Sequence, residues 1–178
     1  MKVRQIMTKA VESCGGHTDL ANAAMIMWRK DCGIVPVIEP DTDEVVGVIT
    51  DRDICMAVAT RHQRPEEIEV DDVISGKLHA VAPDDNVSKA LDLMREQRVR
   101  RLPVVDAEGK LAGIISLMDL VELVGLPHQP MRTGITASQI VEVLKAIHGA
   151  HPTDAPAEEK AESSTGPEAS SSGTKRPE

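Results

Sequence analysis

The 178-residue chain carries 29 acidic against 20 basic side chains, for a formal charge of −9 and a pI near 5.2. That balance excludes broad binding to nucleic acid or to an anionic membrane, because both need a basic surface. Apolar residues make up 41 %, enough for a real core, yet there is no Phe or Tyr and Trp28 is the only aromatic, so the core must be aliphatic.

No N-terminal apolar stretch resembles a leader, and no run approaches the ~18 apolar residues of a membrane span. The three cysteines, Cys14, Cys32 and Cys55, form no Cys-x-x-Cys pair and leave an odd thiol under any pairing. A reducing cytoplasm is the compartment this usage fits.

In chain order, the first predicted element is a short strand at residues 11–14. A helix follows whose apolar stripe is Leu20, Ala23, Ala24 and Met27, with Thr18 and Asp19 as caps. "IVPVI" and "VVGVI" flank the polar "EPDTDE", which reads as a β-hairpin. A second helix starts at Thr50 and carries Ile54, Ala57 and Val58. "RHQRPEEIE" is polar, contains one proline and reads as a linker.

The order then repeats. Residues 78–81 predict a strand, and Val87, Ala90, Leu91 and Met94 a helix stripe, capped at Asp85 or Asn86. "LPVV" and "LAGII" flank "DAEGK", and a last helix begins at Ser116 with Leu120, Leu123 and Val124. Sliding the chain by 67 residues superposes Val3 on Val70, Thr8 on Ser75, Leu20 on Val87, Met27 on Met94 and Pro36 on Pro103. After one deletion in the acidic turn, a shift of 66 brings Gly47 onto Gly113, Thr50 onto Ser116 and Asp53 onto Asp119. The expected class is α/β (α+β): two β-α-β-β-α repeats packed with pseudo-twofold symmetry, since one such unit buries too little surface alone. The expected divisions are repeat one at 1–60, a linker at 61–69, repeat two at 70–126, and a loop with a C-terminal helix at 127–149. Thr136-x-x-Gln139 caps that helix ahead of Ile140, Val143, Leu144 and Ile147. The Pro-, Glu- and Ser-rich stretch 150–178 is expected to be disordered.

The chemistry lies in the doubled "GVITDRDI" and "GIISLMDL". A carboxylate only accepts hydrogen bonds, and two adjacent ribose hydroxyls offer it two donors. The hydroxyl of Thr50 or Ser116 stands at a helix start, where unpaired N–H groups favour an anion. Gly47 and Gly113 inside strands imply backbone approaching something closely, and Pro36 and Pro103 imply a sheet edge. Ser/Thr-x-x-Asp is equally a capping-box variant that needs no ligand, and the two uses are compatible because they can engage different atoms. "REQRVRR" reads either as a phosphate clamp or as a solvated helix end. Cys14 and Cys32 occupy the positions of Val81 and Val99 and read as buried small hydrophobes. Cys55 with His17 or His62 lacks the spacing of a zinc site, so no metal ligands are assigned.

The paired motifs, preceded by "CGIVPVI" and "RRLPVVD" and opened by "VRQIMT" and "VDDVIS", resemble a cystathionine-β-synthase-type (CBS) domain pair, or Bateman module, over roughly residues 3–125. The chain is similar to the small bacterial proteins made of little more than one such pair. The resemblance implies adenosine-containing ligands of the AMP, ADP or ATP class, or else S-adenosylmethionine or NAD, held in clefts between the repeats, with no cofactor required and no catalysis. Carried over by motif, cleft one combines Thr50, Arg52 and Asp53 with Leu78, His79, Arg100 and Arg101. Cleft two combines Ser116, Met118 and Asp119 with Thr8, Val11, Gly33, Ile34 and Val35. On this reading the guanidinium groups make cleft one the phosphate-binding one, and cleft two is weaker, empty or suited to an uncharged adenosyl group. A cytoplasmic homodimer acting on an effector protein, without nucleic acid or membrane, is the expected context. The rivals are a ligand-independent dimerisation or interaction module and a metal- or redox-responsive regulator.

Overall fold

The computed structural model describes residues 1–74, 77–125 and 134–149; the expectations for 126–133 and for the tail from 150 lie outside them. Strand β1 (Cys14–Gly15) is followed by helix α1 (Leu20–Lys30), strands β2 (Ile34–Ile38) and β3 (Val45–Thr50), and helix α2 (Asp51–Arg61). The second half runs through α3 (Val87–Gln97), β4 (Arg101–Val105), β5 (Leu111–Ser116) and α4 (Leu117–Gly125), and α5 (Ala137–His148) closes the described chain. This is the predicted mixed architecture of two similar halves.

Helix α1 buries Leu20, Ala23 and Met27, and α3 buries Val87, Ala90, Leu91 and Met94, the stripes read from the sequence. Asp19 caps α1 by accepting from the Asn22 N–H at 2.8 Å. In the second half Asn86 holds the cap position without a side-chain bond, and Asp85 instead accepts from the Ala82 N–H and the Lys89 ammonium, each at 2.8 Å. Thr136 and Gln139 form the expected reciprocal cap of α5. That helix sets Ile140 and Val143 into the second-half core against α3 and α4.

The hairpins match residue for residue. Ile34 faces Thr50 and Val37 faces Gly47 in one, Arg101 faces Ser116 and Val104 faces Gly113 in the other, each with a register shift at the following residue. The leading strands are shorter than expected. β1 pairs only Cys14 and Gly15 with Val37 and Ile38, and its counterpart is a single bridge from Val81 to Val104. Pro36 lies in the middle strand of the β1-β2-β3 sheet, not in an edge strand; β1 begins its pairing one residue later, at Val37, so the missing N–H costs no ladder bond there.

The two halves exchange their leading segments. Val3 is fully buried in the core of the second half, while Ile68 and Val70 complete the core of the first. The bonds that hold them are symmetric: Val87 donates to the Met1 carbonyl as Leu20 donates to that of Ile68, and Val3 donates to Asp85 as Val70 donates to Thr18. The segment "RHQRPEEIE" is thus a connector whose end is built into the first-half core, through a short 3-10 turn at Pro65–Glu67. Glu44 bridges Lys110, and a shift of 66 makes Lys110 its own counterpart. A residue that touches its own counterpart lies on the pseudo-twofold axis, which therefore passes between the two hairpin turns.

Candidate ligand cleft

At both helix starts the Ser/Thr-x-x-Asp motif folds into the same closed cap. The Thr50 N–H and hydroxyl donate to Asp53 Oδ2 at 3.0 and 2.6 Å, and the Asp53 N–H returns a bond to Thr50 Oγ1 at 3.2 Å. Ser116 donates to Asp119 Oδ2 through its N–H at 2.7 Å and its hydroxyl at 2.8 Å, and accepts from the Asp119 N–H at 3.2 Å. In each case both bonds to the carboxylate engage Oδ2 alone. The other carboxylate oxygen, Oδ1, has no hydrogen-bond partner among the described residues. The cap therefore occupies one oxygen of the carboxylate and leaves the other without a hydrogen bond to a described residue.

A cleft of about 260 Å³ opens beside the second motif. Its walls include Ser116 and Asp119 from the second half, Thr8 and Val11 from the exchanged N-terminal segment, and Ile34 from β2. Thr8 reaches this position because its N–H and carbonyl pair with Ile114, both at 2.9 Å. That crossing explains Gly113: a Cβ there would stand 2.5 Å from the Thr8 carbonyl oxygen. The strand glycine is needed for close approach, as its place in a strand implies, and what approaches is the chain itself.

Arg101 lines this same cleft. The motif carry-over puts it with Thr50, but strand pairing sets it directly opposite Ser116, while Thr50 has Ile34 as its cross-strand neighbour. Arg101 is half-buried and makes no ion pair with any described residue. The cleft also holds residues that motif matching missed: Lys30 and Asp31 at the end of α1, Glu12, and Cys32, whose thiol donates to the Ile34 carbonyl at 3.4 Å. Lys30 pairs with Glu12 at 2.7 Å. Two cations (Lys30, Arg101) face three carboxylates (Glu12, Asp31, Asp119), a balance that suits a ligand of low negative charge. Only their position beside Gly33 and Ile34 signals Asp31 and Cys32 in the sequence; Lys30 and Glu12 carry no such signal.

Three residues assigned to cleft two lie elsewhere. Val35 is fully buried in the first-half core, Met118 lines an apolar hollow with Leu117, Val121 and Leu144, and Gly33 lines a hollow beside α1 and α2. Of the residues assigned to cleft one, Arg52 is exposed on the first turn of α2, Leu78 and His79 are half-buried in the stretch leading to Val81, and Arg100 lines both hollows. Cys14 is buried as expected, and burial pushes its thiol up to about 11 against a lowering bond from Thr18, so it stays protonated and inert. Among the described residues no group of three or more His, Cys, Asp or Glu is placed to hold a metal ion. Among them, too, no helix is long and apolar enough to cross a membrane.

The family model for the CBS domain matches the chain twice, at residues 3–60 and 70–125. The chain belongs to the CBS domain family. Hypoxic response protein 1 of Mycobacterium tuberculosis is 30 % identical over 144 residues, covering 81 % of this chain and 92 % of that protein. A Methanopyrus kandleri protein is 37 % identical over 110 residues, but the match spans only 56 % of its length and 61 % of this chain. The crystal structure of Hypoxic Response Protein I with two coordinated zinc ions superposes with a TM-score of 0.64 at 29 % identity, over 71 % of this chain and 100 % of that one. The CBS domain pair of protein MJ0100, solved with 5′-methylthioadenosine and S-adenosyl-L-methionine, shares the fold at 21 % identity and a TM-score of 0.63, over 69 % of this chain and 94 % of that one.

Proposed function

We propose that this CBS pair is a cytoplasmic regulatory module, not a catalyst, that binds an adenosine-containing ligand in the cleft beside Ser116 and Asp119. One observation carries the reading: Asp119 caps its helix through Oδ2 alone and lines a cleft that also holds Arg101, which has no ion-pair partner among the described residues. Oδ1 suits a ribose hydroxyl pair, and Arg101 suits a single phosphate or pyrophosphate. The three carboxylates of the cleft disfavour a triphosphate, which ranks AMP, ADP, S-adenosylmethionine and NAD above ATP. That MJ0100 was solved with methylthioadenosine and S-adenosyl-L-methionine supports an adenosyl ligand of low negative charge. The Thr50–Asp53 motif, with Ile34 where the other has Arg101, is the weaker partner. Ligand bridging the N-terminal segment and the second half biases their arrangement by its differential affinity for the two states, and a homodimer with an effector protein is where that bias is read.

The test is a thermal-shift screen against AMP, ADP, ATP, NAD and S-adenosylmethionine, with GTP and CTP as controls, followed by calorimetry. A ligand at 100 times its Kd stabilises by about 2.7 kcal/mol, several degrees for a domain of this size. The expected result is a shift with an adenosine ligand that weakens at least tenfold in Asp119→Asn and Arg101→Ala and less in Asp53→Asn. No shift with any nucleotide would put ligand-independent interaction in its place.

A further inference from the structure

Helix α5 lies on α3 and α4. It adds Ile140 and Val143 to the core of the second half, with Ile147 packed beside them, and its Leu144 lines a hollow with Leu117 and Val121 of α4. The repeat shows what corresponds to that seat in the first half. A shift of 66 carries Leu117, Leu120 and Val121 onto Asp51, Ile54 and Cys55 of α2, and a shift of 67 carries Leu91 and Met94 onto Ala24 and Met27 of α1. All five counterparts line one open hollow of about 560 Å³. Among the described residues no helix packs on α1 and α2 as α5 does on α3 and α4; the connector turn at Pro65–Glu67 packs on α1 instead. Nor does the first half refill the groove with larger side chains of its own. Ala24 stands where the second half buries Leu91, and Met25 and Trp28 stand where it has the Asp92–Arg95 ion pair at 3.2 Å. Trp28, which lines the hollow, is 83 % exposed, and Met25, one turn earlier on the same side, is 46 % exposed. Large apolar side chains kept in water where the other copy carries a solvated ion pair mark a contact surface.

We infer that the α1–α2 groove is a docking site for an amphipathic helix of a partner protein, seated as α5 is seated in the second half. The partner's apolar stripe follows the i, i+3, i+7 spacing of Ile140, Val143 and Ile147. It enters beside Ala24 and Ile54 and is flanked by the Trp28 indole, an aromatic anchor of the kind that dominates interfaces. The charged walls are Asp31 and Asp51 together with Arg100 and Arg101. Both signs are equally present, so the groove selects by shape and apolar contact and not by net charge. A second copy offering the same face sets groove against groove, with no ridge for either to receive. That favours a helix from another protein. The inference is independent of the adenosine reading and stands or falls without it.

The probe is a capped synthetic peptide of residues 134–149, the α5 sequence itself, titrated into the full chain. It contains no Phe, Tyr or Trp, so Trp28 is the only emitter in the mixture. Because an isolated helix of this length is marginal in water, the expected Kd is weak, on the order of 100 µM. Binding shifts Trp28 emission to the blue, and calorimetry returns the same Kd. Two variants of the chain weaken it at least about tenfold. Ala24→Leu restores the side chain of the second half and fills the groove; Cys55→Glu places a charge in the hollow at an exposed position outside the core. A peptide with Ile140→Ser and Val143→Ser does not bind. Absence of binding up to about 1 mM peptide overturns the inference. So does a heat of binding without change in Trp28 emission, since the peptide then sits on α3 and α4 in place of α5. A blue shift that grows with protein concentration alone, matched in sedimentation by a dimer that Cys55→Glu dissolves, also overturns it and makes the groove an interface between copies.

Discussion

The two halves of the molecule share an element order, a hairpin register and a cap, yet they differ wherever something touches them from outside the repeat. Gly47 and Gly113 are the same residue in the same strand position. A Cβ on Gly47 would meet the end of the Ile74 side chain at 3.1 Å, whereas on Gly113 it would meet the Thr8 backbone at 2.5 Å. Ser116 has an arginine across the strand and Thr50 an isoleucine. The outer face of α3 is an ion pair where that of α1 is Met25 and Trp28. Duplication supplies the scaffold, and the differences between the copies are what the proposed ligand cleft beside Ser116 is built on.

The sharpest way to break the symmetry is at the strand glycines. Gly113→Ala forces the Thr8 backbone away and is expected to cost about 2–3 kcal/mol. Gly47→Ala displaces a flexible side-chain end and costs below about 1 kcal/mol. Urea unfolding of the two variants compares them directly, and equal losses would contradict the crossing of Thr8 over β5. The caps sharpen the comparison at a smaller scale. Thr50→Ala and Ser116→Ala each lose about 1 kcal/mol of stability, and on the proposed reading Ser116→Ala weakens an adenosine ligand in calorimetry more than Thr50→Ala does.

The smallest effects are in pH. For Asp85 burial alone acts to raise the carboxyl, but bonds from Lys89 and the Ala82 N–H outweigh it and hold the group below the ordinary range. Its contribution is present above the unfolded carboxylate pKa and is lost as pH falls through the lowered folded value. Asp85→Asn should therefore flatten the acid limb of a thermal-stability profile. His17 differs in sign: its bond to Glu69 raises it, so its contribution is present below the unfolded imidazole pKa and fades as pH rises through the raised folded value. His17→Gln should remove a slight loss of stability as pH rises above the ordinary imidazole range.

Much of this was readable from the residues, and the rest shows what local pattern cannot carry. The helix stripes, the hairpins and the capping of Thr50, Ser116 and Thr136 all depend on contacts within a few residues and appear as expected, except that Leu144, read into the stripe of the last helix, is exposed. The leading strands are shorter than expected because only Cys14, Gly15 and Val81 reach a hairpin strand to pair with, which no periodicity reveals. Motif matching assigns Arg101 to the opposite cleft, but its neighbour is fixed by cross-strand register, which sets it opposite Ser116. Lys30 and Glu12 reach the cleft only because α1 ends there, and Trp28 gave no sign in the sequence of standing beside two arginines.

The exchange of leading segments also orders events while the chain is being made. Residues 1–8 emerge long before their partners, which lie at residues 83–87 and at Ile114. The first-half core needs nothing later than Ile68 and Val70 and the residues beside them. At ~5–20 residues per second, some 40 more residues must leave the ribosome after that core can close, a wait of roughly 2–8 seconds. Through that interval the first half is complete while its own N-terminus is still unpaired, so vectorial synthesis turns two near-identical repeats into an early folder and a late one.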